Sequence, residues 1–135
     1  MKNRSIPQCT VIPELAYPNM GEAIEWLNKA FGFTLRVRIG DHRAQMNVGD
    51  SAVVLIEGTG KVSEPSHGML VRVEDARRHY QQAKSAGAKT VREPADHPFG
   101  ERQYTVEDLA GHRWTFSQSI ADVAPEEWGG VSGKL

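Results

Sequence analysis

The sequence predicts an α+β chain built from two βαβββ modules whose curved mixed sheets enclose a cavity. Three observations predict it. Each half carries one amphipathic helix, in "YPNMGEAIEWLNKAFGF" and in "DARRHYQQAKSAGAKT". The helices end alike, with Lys29-Ala30-Phe31-Gly32 against Lys84-Ser85-Ala86-Gly87, an offset of 55 residues. After each helix come three strand-like segments punctuated by turns, and the last strands correspond at an offset of 60, Leu55 against Thr115. Recurrence of one element order is the signature of an internal repeat.

Taken in order, "QCTVIPELAY" reads as a strand, with Pro7 and Pro13 making it an edge or irregular one because proline lacks a ladder donor. Asn19 is a natural N-cap with Glu22 three residues on, and Met20, Ala23, Ile24, Leu27 and Phe31 share one helical face up to a stop at Gly32. "FTLRVRIG", "RAQMNVGD" and "SAVVLIEG" follow as strands across turns at Gly40-Asp41 and Gly49-Asp50. "EGTGKVSEPSHG" is a linker or loop. The second module then reads "HGMLVRVE" (strand), a helix capped by Asp75 with Ala76, Tyr80 and Ala83 on one face, and the strands "AKTVREP", "GERQYTVE" and "HRWTFSQS". The expected organisation is one domain over residues 1–120, with modules at about 6–58 and 66–118. A tail, 121–135, has a short helix signal at Ala124-Pro125-Glu126-Glu127 and a disordered end.

Composition narrows the function. A net charge of −1 with no basic stripe argues against nucleic acid and anionic membranes as partners. The one cysteine, Cys9, precludes an internal disulfide and any CxxC motif, and reads as a small apolar residue at a strand edge. No apolar run approaches the roughly 18 residues of a membrane span, and "MKNRSIPQC" lacks the apolar stretch of a signal peptide, so the expected location is cytoplasmic.

Period-two alternation assigns faces. Val54 and Ile56, Met69, Val71 and Val73, and Trp114 and Phe116 are expected beneath the helices. The opposite parity, toward the cavity or solvent, holds Ile12 and Glu14, Val53, Leu55 and Glu57, Gly68, Leu70 and Arg72, and Arg113, Thr115 and Ser117. Arg36, Arg38, His42 and Gln45 lie on an edge hairpin, either solvated or contacting a polar ligand. Trp26 fits a helix–sheet seam or a dimer contact. His97, Phe99, Glu101, Arg102 and Tyr104, around "REPADHPFGERQY", form either a pocket wall or an exposed connection.

"VIPELAYPNMGEAIEWLNKAFGF", "GDSAVVLIE", "VEDLAGHRW" and "IADVAPEEW" together resemble the glyoxalase/bleomycin-resistance/dioxygenase superfamily (vicinal oxygen chelate fold), in particular its PhnB-like branch, over about residues 6–128. The resemblance implies a homodimer in which modules of different subunits build each cavity. It also implies that metalloenzyme relatives place ligands, usually His or Gln, Glu, His and Glu, at positions that here are Ile12, Leu55, Gly68 and Thr115. Three of these have no donor side chain and Thr is a weak one, whereas a stable site needs about three strong donors. The expectation is therefore no cofactor; the alternative is a divalent metal in a displaced site near His67, Glu57 and Glu14.

The function expected is metal-free binding of a small organic molecule, a drug or a metabolite, in a dimer cavity. Glu14, Gln45, Leu55, His67, Phe99, Tyr104, Arg113 and Thr115 are the candidate ligand-binding residues, and no catalytic residue is assigned. The rival is a metal-dependent glyoxalase-type lyase or isomerase, or a ring-cleaving dioxygenase. A third reading is an interaction module with a collapsed cavity.

Overall fold

The computed structural model describes residues 3–58 and 67–135, so most of the inter-module linker lies outside it. The first module runs β1 (Glu14–Tyr17), α1 (Met20–Phe31), β2 (Thr34–Ile39), β3 (Arg43–Val48) and β4 (Ser51–Glu57). The second runs β5 (Met69–Arg72), α2 (Ala76–Ser85), β6 (Lys89–Asp96), β7 (Glu101–Glu107) and β8 (Arg113–Ser119). Two four-stranded sheets result, β1-β4-β3-β2 and β5-β8-β7-β6. In each, the first strand pairs parallel with the last and the remaining pairs are antiparallel. The predicted α+β pair of βαβββ modules is what forms.

Local chemistry sets the helices. The Asn19 side chain accepts from the Glu22 N–H at 2.9 Å, satisfying a donor left over in the first turn. Gly32, at φ 79°, ends α1 in the left-handed region and returns its N–H to the Asn28 carbonyl at 2.9 Å. Asp75 caps α2 through the Arg78 N–H at 3.0 Å.

The first strand is shorter than predicted. It begins at Glu14, just after Pro13, whose carbonyl still accepts from the Val54 N–H at 2.8 Å. The residues before it leave the sheet and cross its concave face. There the Ser5 carbonyl accepts from Gln45 Nε2 at 2.8 Å, the Arg4 carbonyl accepts from Arg36 Nη1 at 3.2 Å, and Pro7 is buried.

Both helices cover the convex sides and pack on each other, so the two modules share one core. Phe31 of α1 touches Phe116 and Trp114 of the second module, with ring centroids 4.9 and 5.5 Å apart. Trp26 Nε1 donates to the Ala86 carbonyl at 2.8 Å, which puts Trp26 at the seam between the helices. His79 lies at the same seam. Its Nε2 donates to the Phe31 carbonyl at 3.0 Å, and its Nδ1 accepts from the Tyr104 hydroxyl. Burial holds His79 below the ordinary imidazole value and raises the Tyr104 hydroxyl above its own.

A second tie between modules is Asp108, buried in the β7–β8 turn. One carboxylate oxygen accepts from the Ala110 and His112 N–H groups at 2.9 and 3.0 Å. The other accepts from Trp114 Nε1 at 3.0 Å and from the Tyr17 hydroxyl of the first module at 2.5 Å. Burial, then the neighbouring carboxylate, holds Tyr17 well above the usual phenol range, which keeps it a donor.

The phase of β8 is as expected, with Trp114 and Phe116 fully buried beneath the helices. The phase of β4 is reversed. Val53 and Leu55 belong to the helix-side core, and Val54 lies on the concave side. Ala52 through Ile56 are all apolar, so alternation carries no phase there. The register does: Leu55 stands opposite Leu15 and Ala44, Val53 opposite Met46, and Val54 opposite Glu14 and Gln45. Beyond β8, a 3₁₀ helix (Pro125–Trp128) places Trp128 edge-on to Phe99, 5.7 Å between centroids.

Candidate functional site

The concave face of the second sheet carries an open trough of about 540 Å³. Cross-strand partners share a face, so the register defines its floor. One row runs across all four strands: Leu70 on β5, Thr115 on β8, Thr105 on β7 and Arg92 on β6. The two threonine hydroxyls hydrogen-bond each other at 2.7 Å. The adjacent row is Arg72, Ser117 and Gln103. Gln103 Nε2 donates to Ser117 Oγ at 3.0 Å, Ser117 donates to Glu101 Oε1 at 2.6 Å, and Arg72 donates to Ser119 Oγ at 2.6 Å. The hydroxyls of Ser117, then Ser119, hold the Glu101 carboxyl below the usual range. At the near end Arg113 Nε lies 3.6 Å from Glu107, which also faces Lys89 at 3.9 Å.

The candidates named from sequence separate. His67, Arg113 and Thr115 line the trough. Glu14 and Gln45 lie on the concave face of the first module instead. Glu14 is exposed and paired with Arg43 at 2.9 Å, while Gln45 is buried under the N-terminal segment and accepts from Arg36. Phe99 borders a separate hollow of about 470 Å³ near Glu101 and Ser119. Leu55 and Tyr104 require correction as ligand contacts. Both are almost fully buried in the helix-side core, Leu55 because the β4 register turns it inward, Tyr104 because it fills the space under α2 beside His79 and Phe116. Arg102 pairs with Asp96 at 2.6 Å, outside the trough.

Val91, Arg92, Gln103 and Thr105 also line the trough and are not singled out by the sequence. The signal was present in "RQYTVE", where Tyr104 and Val106 alternate with Gln103 and Thr105.

The donors on these faces do not fit a divalent ion. Ile12 lies before the sheet, Leu55 is in the core, Gly68 has no side chain, and Thr115 is engaged with Thr105. The concave residue opposite Glu14 is Val54, again without a donor. Glu57 pairs with Tyr17, so it takes the opposite parity from Glu14 and cannot join it. The His67 ring is 6.5 Å from that of His112, whose Nε2 is bound to the Ala16 carbonyl at 2.8 Å. Among the described residues no three His, Cys, Asp or Glu side chains gather as a ligand set.

Fold and site thus define an α+β protein of paired βαβββ modules, one of whose concave faces is an open polar trough. The chain belongs to the Glyoxalase/Bleomycin resistance protein/Dioxygenase superfamily, whose model matches residues 5–116. It is similar to TioX from Micromonospora sp. ML1, with 33% identity and a TM-score of 0.70 over 83% of this chain and 99% of that one. It shares its fold with the fosfomycin resistance protein FosX from Listeria monocytogenes, at 12% identity and a TM-score of 0.71 over 82% of this chain and 90% of that one. The same holds for FosX from Mesorhizobium loti, at 17% identity and a TM-score of 0.65 over 82% and 92%. Among curated proteins, none matches this chain. No helix among the described residues is long and apolar enough to cross a membrane.

Proposed function

We propose that this protein binds a small organic molecule in the trough of its second module, without a metal ion, and thereby sequesters a drug or a metabolite. The observation that carries the reading is the trough's lining. Hydroxyl, amide and guanidinium groups provide several fixed polar contacts, and one of the lining side chains, His67, is a strong metal donor. Such a surface orients and holds a guest; it supplies no Lewis acid. Membership of a superfamily whose description includes bleomycin resistance proteins supports a role toward antibiotics or related compounds.

The reading includes a cytoplasmic homodimer in which a partner's module closes the trough. Exposed Leu35 and Ile39 on the first sheet support the dimer, because a partner would remove apolar surface from water.

Two measurements on purified protein test the proposal. Dialysed protein is expected to retain no stoichiometric Zn, Ni or Fe by elemental analysis, and stoichiometric retention moves the assignment to a metal-dependent enzyme. Hydrophobic antibiotics and aromatic metabolites are expected to raise the melting temperature, since a ligand bound only to the folded state stabilises it. A screen with no shift rejects binding.

A further inference from the structure

The row across the second sheet is graded. At one edge Leu70 presents an exposed isobutyl group, the middle two positions are the threonine hydroxyls, and at the other edge stands Arg92. Three strand spacings of about 4.8 Å separate the ends, roughly 14 Å, the span of a two- or three-ring organic molecule.

The acidic groups nearby are already engaged. Glu107 faces Arg113 and Lys89, and Glu101 accepts from Ser117. Arg92 is exposed and enters none of the ion pairs among the described residues. A guanidinium stays charged at any working pH and presents a planar fork of donors that matches carboxylate, sulfonate or phosphonate oxygens. In the threonine pair one hydroxyl donates to the other, which leaves one hydroxyl hydrogen for a guest. The lining contains two arginines and no carboxylate.

We infer that the trough selects amphiphilic organic acids, with the acidic group held at Arg92 beside the Thr105–Thr115 hydroxyls and the apolar body laid over Leu70. This inference rests on the ligand-binding reading above and adds the ligand's chemical class and its direction across the sheet.

The test uses two fluorescent probes with the same aromatic body, 8-anilinonaphthalene-1-sulfonate and its neutral counterpart N-phenyl-1-naphthylamine, titrated into the full-length protein. The sulfonate is expected to bind about tenfold more tightly, the equivalent of about 1.4 kcal/mol. Arg92→Met is expected to remove that advantage while changing the neutral probe's affinity less than about twofold, since the apolar contact is retained. Leu70→Ser is expected to weaken both probes. Arg78→Met, on the exposed face of α2, is expected to change neither. Equal affinities for the two probes, or an unaltered sulfonate affinity in Arg92→Met, overturn the assignment of the acid while the neutral probe's binding preserves the ligand-binding reading. Failure of both probes to bind overturns both.

Discussion

The first module sets Glu14, Val54 and Gln45 in a row on its concave face; the second sets Leu70, Thr115, Thr105 and Arg92. The strand order is the same and so is the helix placement, yet the N-terminal segment crosses one face, leaving a hollow of about 490 Å³ beside Arg36, Asn47 and Ala52, while the other face is open. In the first, Gln45 spends its amide on the Ser5 carbonyl and its side-chain oxygen on Arg36, and the N-terminal segment lies where a ligand would. In the second, nothing in the described chain lies over the threonine pair. A repeated fold therefore does not imply repeated sites. Concave side chains and a short flanking segment decide which half is available, at no cost to the shared core.

The largest effect is expected in that shared core. Trp114→Ala removes a fully buried ring that touches Phe31, Phe33 and Phe116 and donates to Asp108. It is expected to cost about 3–5 kcal/mol, read by urea denaturation. The loss should appear in one cooperative transition, because Trp114 packs on side chains of both modules. Two separated transitions would mean that the modules are independent and that their faces cannot be compared within one folding unit.

Asp108→Ala comes next. It leaves the Tyr17 hydroxyl, the Trp114 N–H and two turn N–H groups without their acceptor, at an expected cost of about 2–3 kcal/mol in the same assay. If Tyr17→Phe in this background costs as much as it does in the wild type, the cross-module hydrogen bond is not what joins the halves.

Gln45→Ala sharpens the contrast between faces. It strips the N-terminal segment of one of its two anchors, leaving the Arg36 bond to the Arg4 carbonyl, and is expected to cost about 1 kcal/mol. Amide exchange near Ser5 should quicken, while exchange at Thr105 and Thr115 stays unchanged. Unaltered exchange near Ser5 would show that the first face is covered by something other than this contact.

The smallest effect is a pH dependence. His79 is held below its ordinary value by burial, so the folded protein prefers the neutral ring. Between that lowered value and about 6.5 the unfolded chain binds more protons than the folded one, so stability rises with pH there and falls on acidification. His79→Gln is expected to flatten that part of the profile, measured as melting temperature across pH 5–8. An unchanged slope would remove His79 as its source.

How much of this was legible depends on how each residue's chemistry declares itself. Asn19, Glu22 and Gly32 fix α1 by local rules, and Asp75 fixes α2, so both helices were readable. In β8 the alternation of Arg113, Thr115 and Ser117 with Trp114 and Phe116 gives its phase at sight. In β4 the run Ala52–Ile56 is apolar throughout, and only pairing with Leu15, Ala44 and Met46 turns Leu55 inward. Tyr104 looked like a pocket wall because its partners, His79 and Phe116, are 25 and 12 residues away in the chain. Arg92 carried no local signal, and its place at the end of the trough follows from strand register. The covering of the first face by residues before Glu14 is likewise a tertiary event with no motif.

The two concave faces differ in availability to a ligand. Backbone amide chemical shifts recorded during titration of the assigned protein with 8-anilinonaphthalene-1-sulfonate read that difference residue by residue. Perturbations are expected at Leu70, Arg92, Thr105 and Thr115, with Gln45, Asn47 and Ala52 unmoved. Perturbations confined to the first module's face, or spread equally over both, would contradict it.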